Sequence, residues 1–128
     1  MPADAPSLYP CFSYRDAYGA IDFLVNAFGF EKLVVHPGDD GTVSHAELRF
    51  GNGVVMLGTT KDEHLASSTY VVVEDIDAHH EHARAAGATI VTDPHETDYG
   101  SRDYAARDPE GNTWYFGTYV PSLVPART

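Results

Sequence analysis

Residues 99–119 read YGSRDYAARDPEGNTWYFGTY. Asp108-Pro109-Glu110-Gly111-Asn112 is a tight acidic turn: Pro and Gly set the dihedrals a reversal needs, and the Asp and Asn side chains can bond their own backbone. After it, Thr113-Trp114-Tyr115-Phe116 has the β-branched and aromatic composition of a half-buried strand. The segment before the turn supplies its partner strand. Alternation along the second strand predicts Trp114 and Phe116 in the core, and Thr113, Tyr115, Gly117 and Tyr119 on the opposite face, lining whatever the protein binds.

Working outward, Thr69–Val73 reads as a strand, and Asp75 or Asp77 caps a helix that ends at Gly87. Ala88–Thr92 is a further strand, and Pro94–Gly100 a loop leading into the opening stretch. The same β-α-β-β-β order occurs about sixty residues earlier. Leu8–Tyr14 reads as a strand and Asp16 as an N-cap. The helix that follows puts Ala17, Ala20, Ile21, Leu24 and Phe28 on one stripe, and Gly29 ends it. Glu31–His36, Val43–Phe50 and Val54–Thr59 are strands, the last two joined through Gly51-Asn52. Lys61–Ser68 is the boundary, giving modules over 8–60 and 69–120 of a single domain. The expected fold is α+β: two βαβββ modules forming curled mixed sheets around a cleft, within one chain or between two.

The chain has 128 residues, enough for one shared core, with 43% hydrophobic and 21% charged residues. No apolar run reaches the ~20 residues that span a membrane, and the N-terminus lacks the basic and apolar regions of a secretory signal. Cys11 is the only cysteine, so no intrachain disulfide forms, and a cytoplasmic location is expected. The net charge of −11, from 8 Lys+Arg against 19 Asp+Glu, argues against nucleic acid and anionic membranes as partners. It suits a cationic ligand, although acidity also serves solubility alone.

The chain resembles the vicinal oxygen chelate superfamily, which includes glyoxalase I, bleomycin resistance proteins and extradiol dioxygenases. The resemblance is carried by Ala20-Ile21-Asp22-Phe23-Leu24 with Phe28-Gly29-Phe30, His45-Ala46-Glu47-Leu48, Ala86-Gly87-Ala88 and Asp108-Pro109-Glu110-Gly111-Asn112, spread from about Leu8 to Tyr119. The family's metal enzymes place a His, Glu or Gln on the first and fourth strands of each module. The resemblance puts those four points on Tyr9, Met56, Thr69 and Tyr115. A divalent first-row metal needs imidazole, carboxylate or thiolate donors, so no metal or other cofactor is expected at these four. A divalent metal held through other donors is the alternative.

Pairing through Gly51-Asn52 sets Arg49 opposite Val54, Glu47 opposite Met56 and His45 opposite Gly58. His45, Glu47 and Arg49 then share the cleft face with Met56. They form either a ligand-anchoring row, in which His45 acts as a general base oriented by Glu47, or a salt-bridged row at an interface. The resemblance also implies that Tyr99, Arg102 and Tyr104 border the ligand, and Tyr and Arg side chains suit flat or anionic groups. Cys11 faces the cleft by parity and reads as inert packing. His79, His80 and His82 read as solvated or packed helix residues, with surface metal chelation by His79 and His82 as the lesser reading.

The resulting expectation is a metal-independent homodimer that binds a small organic ligand, cationic or aromatic, as in drug or toxin sequestration. The alternative is a lyase or isomerase using His45 and Glu47, with or without a divalent metal.

Overall fold

Asp16 accepts a hydrogen bond from the Gly19 amide at 3.0 Å and starts helix α1 (Ala17–Phe23). The computed structural model describes residues 6, 8–62, 66–122 and 124. The stripe from Ala17 to Phe28 is buried throughout. The helix does not stay α-helical, however: Leu24–Phe28 widen into a π-helical turn that Gly29 closes at φ +88°.

Strand β1 (Cys11–Tyr14) runs parallel to β4 (Gly53–Thr59), which pairs antiparallel with β3 (Val43–Phe50), and β3 with β2 (Glu31–Pro37). The second module repeats this. Strand β5 (Ser68–Val72) runs parallel to β8 (Thr113–Gly117), followed by β7 (Arg102–Arg107) and β6 (Thr89–Glu96), with helix α2 (Ile76–Ala85) after β5. The expected pair of βαβββ modules is therefore present as two four-stranded mixed sheets.

Two boundaries differ from expectation. β1 begins at Cys11 rather than Leu8, because Pro10 has no N–H to donate; its carbonyl instead accepts from Met56 N at 2.9 Å. β6 runs on to Glu96 through Pro94, where the sequence predicts a loop. It is an edge strand with a register shift between Thr92 and His95, the setting in which a sheet tolerates proline. Of the two caps expected for α2, Asp75 is the one used. Among the described residues no helix is long and apolar enough to cross a membrane.

The inner faces of the two sheets share one core. The Phe12 ring stacks on Trp114 at 5.1 Å, and Phe28 meets Trp114 and Phe116 at 5.9 and 4.9 Å. Two histidines of α2 bind the π-turn. His79 Nε2 lies 2.8 Å from the Phe28 carbonyl and His82 Nε2 2.9 Å from the Asn26 carbonyl. These imidazoles are committed to packing between modules, not to a metal.

The acidic turn clasps the modules together. Buried Asp108 accepts from the Tyr14 hydroxyl at 2.7 Å, from Trp114 Nε1 at 3.1 Å, and from the amides of Glu110 and Asn112. Glu110 reaches back to α1 and accepts from the Arg15 and Asp16 amides at 2.7 and 2.8 Å. Burial, then the Asp108 charge, push the Tyr14 hydroxyl far above its ordinary pKa, so it stays a donor.

Tyr14→Phe is predicted to lower unfolding stability by about 1–3 kcal/mol in urea titrations, because a buried carboxylate loses a donor it cannot replace with water. A second prediction concerns pH. Burial lowers the His79 pKa, against the opposing Phe28 carbonyl contact. The unfolded chain therefore takes up this proton more readily. The stabilisation from neutral His79 is complete above about pH 6.5 and is lost as the pH falls toward its folded-state pKa. The urea midpoint is expected to drop between about pH 7 and 5, and His79→Gln is expected to flatten that slope.

Candidate functional site

Each sheet keeps an outer face away from the shared core, and register decides which residues stand on it. On β7 and β8, Arg107 pairs with Thr113, Ala105 with Tyr115 and Asp103 with Gly117. On β5 and β8, Tyr70 pairs with Tyr115 and Val72 with Gly117. Partners across a ladder share a face. The outer face of the second sheet therefore carries Tyr70, Val72, Asp103, Ala105 and Tyr115.

This register overturns three expectations. Tyr104 pairs with Phe116, is fully buried, and meets His79 Nδ1 at 2.5 Å, so it belongs to the core; burial raises its pKa. Arg102 shares that inner side and reaches Asp77 of α2 through two bonds, at 2.8 and 3.1 Å, and Glu96 at 3.2 Å. The Asp77 bond chiefly raises the arginine's pKa. Thr69 pairs with Trp114 and faces inward; Tyr70 stands where the family ligand point was placed. Trp114 and Phe116 are core as expected, and Tyr115 is 44% exposed on the outer face.

The outer face holds a compact polar network that the sequence reading passed over. Asp103 accepts from the Tyr99 hydroxyl at 2.5 Å, the Tyr70 hydroxyl at 3.0 Å and the Ser101 hydroxyl. Tyr70 Oη in turn accepts from the Tyr119 amide at 3.1 Å. Burial alone would raise the Asp103 pKa, but the bonds from Ser101, Tyr99 and Tyr70 outweigh it and hold the carboxyl below its usual range. Tyr70 starts on β5 and must cross β8 to reach β7. It does so over Gly117, where a Cβ would collide with both the Tyr70 hydroxyl and Asp103 Oδ1.

On the first sheet, His45 Nε2 lies 2.8 Å from Glu47 Oε2, both side chains partly exposed. Arg49 does not join them; it pairs with Glu31 of β2. Met56 is opposite Glu47 and beside Cys11, and Tyr9 is half-buried just before β1. Cys11 is exposed rather than packed, its Sγ 3.4 Å from the Tyr9 carbonyl.

A cavity of about 320 Å³ lies along the seam between modules, where the β3–β4 hairpin approaches β5. Phe50, Val54, Tyr70, Val72, Phe30 and Trp114 contribute to its mostly apolar lining. Its size and composition suit an aromatic group. Among the described residues, no hydrogen bond or ring contact joins the His45 row to the tyrosine face. Both outer faces nevertheless reach the seam cavity, the first through Val54 of β4 and the second through Tyr70 and Val72 of β5.

The donor set does not suit a divalent metal. Tyr9, Met56, Thr69 and Tyr115 offer two phenols, a thioether and a hydroxyl, and replacing Thr69 by Tyr70 adds only another phenol. Among the described residues no group of three His, Cys, Asp or Glu side chains is placed to hold a metal ion.

The family model for the glyoxalase/bleomycin resistance protein/dioxygenase superfamily matches residues 11–116. The chain belongs to this superfamily. Among its relatives, the uncharacterized protein Mb0911c of Mycobacterium bovis is 34% identical, over 90% of this chain and 84% of its own length. The crystal structure of TioX from Micromonospora sp. ML1 is 34% identical and superposes with a TM-score of 0.78, over 89% of this chain and 100% of that one. A glyoxalase I variant from Zea mays, at 19% identity and a TM-score of 0.74, shares the fold across 89% of this chain and 44% of its own.

Most of the superfamily's fold signature was readable in the motifs, but Tyr70 and Asp103 needed register. Counting back from Arg107 opposite Thr113 gives Asp103, and counting on from Ser68 opposite Thr113 gives Tyr70. Gly117→Ala is predicted to break the Tyr70–Asp103 bond and to cost about 1–3 kcal/mol, read from urea unfolding. Gly100→Ala, where the added Cβ meets nothing but φ is +82°, provides the comparison for backbone strain alone.

Proposed function

We propose that this protein binds a small organic molecule, aromatic, cationic or both, and holds it without transforming it, as a drug- or toxin-sequestering member of its superfamily. The observation that carries the reading is the outer face of the second sheet. It presents Tyr70, Tyr99, Tyr115 and Tyr119, each more than a third exposed, and Tyr70 also lines the apolar seam cavity. Exposed aromatics grouped around a concavity mark a ligand surface more often than a solvated one. The excess of acidic residues, giving −11 overall, attracts a cation over long range. We further propose that the protein is a homodimer in which a second copy covers the outer faces that one chain leaves open.

The test is a thermal-shift screen of aromatic and cationic antibiotics and dyes. A true ligand present at 100 times its Kd is expected to add about 2.7 kcal/mol of stability. Tyr115→Ala should reduce that gain, and treatment with EDTA should leave both the unliganded stability and the gain unchanged. An absence of stabilisation across a chemically broad panel would overturn the reading.

The second reading, a lyase or isomerase, is favoured by one contact: the 2.8 Å His45–Glu47 bond, which fixes an imidazole beside a carboxylate. Under it, a bound ligand incubated in heavy water gains deuterium at an acidic carbon, and His45→Ala abolishes the exchange. Under the binding reading the ligand is recovered unlabelled.

A further inference from the structure

We propose that Asp103 and the rings of Tyr70, Tyr99 and Tyr119 form a subsite for the head of a quaternary ammonium ligand. The inference rests on the binding reading above and narrows it to one charge and one place. The Tyr119 ring stands perpendicular to both neighbours, 83° to Tyr70 at 6.5 Å and 88° to Tyr99 at 5.6 Å. One ring set perpendicular to two neighbours makes a concave aromatic corner in which a rounded cation can meet ring faces. At that corner sits Asp103, only 7% exposed, whereas the three rings are 38–58% exposed.

No Lys or Arg among the described residues pairs with the charge in the corner; the basic group that acts on it is His95, across the ladder on β6. Arg102, next in the chain, is held on the opposite face by Asp77 and Glu96. His95, opposite Asp103 in register, has its Nδ1 3.0 Å from the Asp93 carbonyl. Two phenols and a serine hydroxyl keep the carboxylate ionised by donating to it. Donation toward a carboxylate also polarises Tyr70 and Tyr99, which makes their ring faces more attractive to a cation.

The chemistry also selects among cations. A carboxylate offers about four lone-pair positions, and three hydroxyl donors already occupy Asp103. That disfavours a metal ion or a guanidinium, which need those lone pairs. A quaternary ammonium needs none: it requires a nearby negative charge and apolar ring faces. Binding the strands together is by itself a sufficient role for the hydroxyl network, but that role does not require the exposed Tyr119 ring, whose amide alone makes the bond to Tyr70.

The experiment is an NMR titration of the full chain with choline and with its neutral carbon isostere, at constant chloride, following the amides of Gly117 and Tyr119. Choline should give saturable shifts, and the isostere should bind at least about tenfold more weakly, a difference of 1.4 kcal/mol. Asp103→Asn should weaken choline by a similar factor. If that variant does not fold, Tyr119→Leu decides: it removes one wall, keeps the amide that binds Tyr70, and should also weaken choline about tenfold or more. No saturable shift with choline, equal binding of the isostere, or full affinity in Tyr119→Leu would overturn the subsite. Failure with choline while the aromatic panel still stabilises the protein overturns the subsite and leaves the binding reading intact. Saturable choline binding that meets these criteria while the panel fails supports the subsite and counts against the larger aromatic ligand.

Discussion

The two modules hold together through one buried carboxylate that takes hydrogen bonds from both. Asp108 lies at 5% exposure among a phenol, an indole and the amides of its own turn. Removing a charge from water costs several kcal/mol unless hydrogen bonds replace the lost hydration. Here the donors come from three parts of the fold. Tyr14 belongs to the first module, Trp114 to the second, and the Asn112 and Glu110 amides to the turn itself. The turn can satisfy Asp108 only when both modules are in place, which makes it a coupling device as well as a reversal. Glu110 extends the coupling by holding the Arg15 and Asp16 amides at the start of α1, where a carboxylate is favoured by the unpaired N–H groups.

Much of this was legible in sequence because it follows local rules. The Asp16 cap, the stripe from Ala17 to Phe28, the Gly51-Asn52 hairpin and the acidic turn each depend on residues within a few positions of one another. What escaped depends on partners far away. The π-turn at Leu24–Phe28 answers to His79 and His82, some fifty residues on, whose side chains bind the carbonyls of Phe28 and Asn26. Tyr104 escaped for another reason: its parity is fixed only relative to Phe116, through pairing across a turn. A phenol is as acceptable in a core with a partner as on a binding face, so composition could not place it.

The pairs of histidine and carboxylate in this chain show how context separates similar groups. His45 and Glu47 sit two apart on one strand, share a face and bond each other in a partly exposed setting. His79, by contrast, is used up by a carbonyl on one nitrogen and a phenol on the other. The first retains freedom to exchange protons with a bound molecule; the second is a structural strut. The same distinction separates Asp108 from Asp103. Asp108 gathers its donors inside the core, so its charge serves the fold.

Asp103 gathers its donors at the edge of an open face. Its charge is desolvated from below by the sheet and fenced by phenols above, and no Lys or Arg among the described residues pairs with it. Replacing metal donors by phenols on the same face changes what that face can recognise. A His or Glu at the Tyr70 or Tyr115 position would bind through lone pairs directed at a point. A phenol whose hydrogen is already given to Asp103 has only its ring left to offer. On the binding proposal, the face responds to shape and positive charge rather than to coordination geometry. That is a physical route by which a fold used elsewhere in its superfamily for metal chemistry can become a surface for an organic cation.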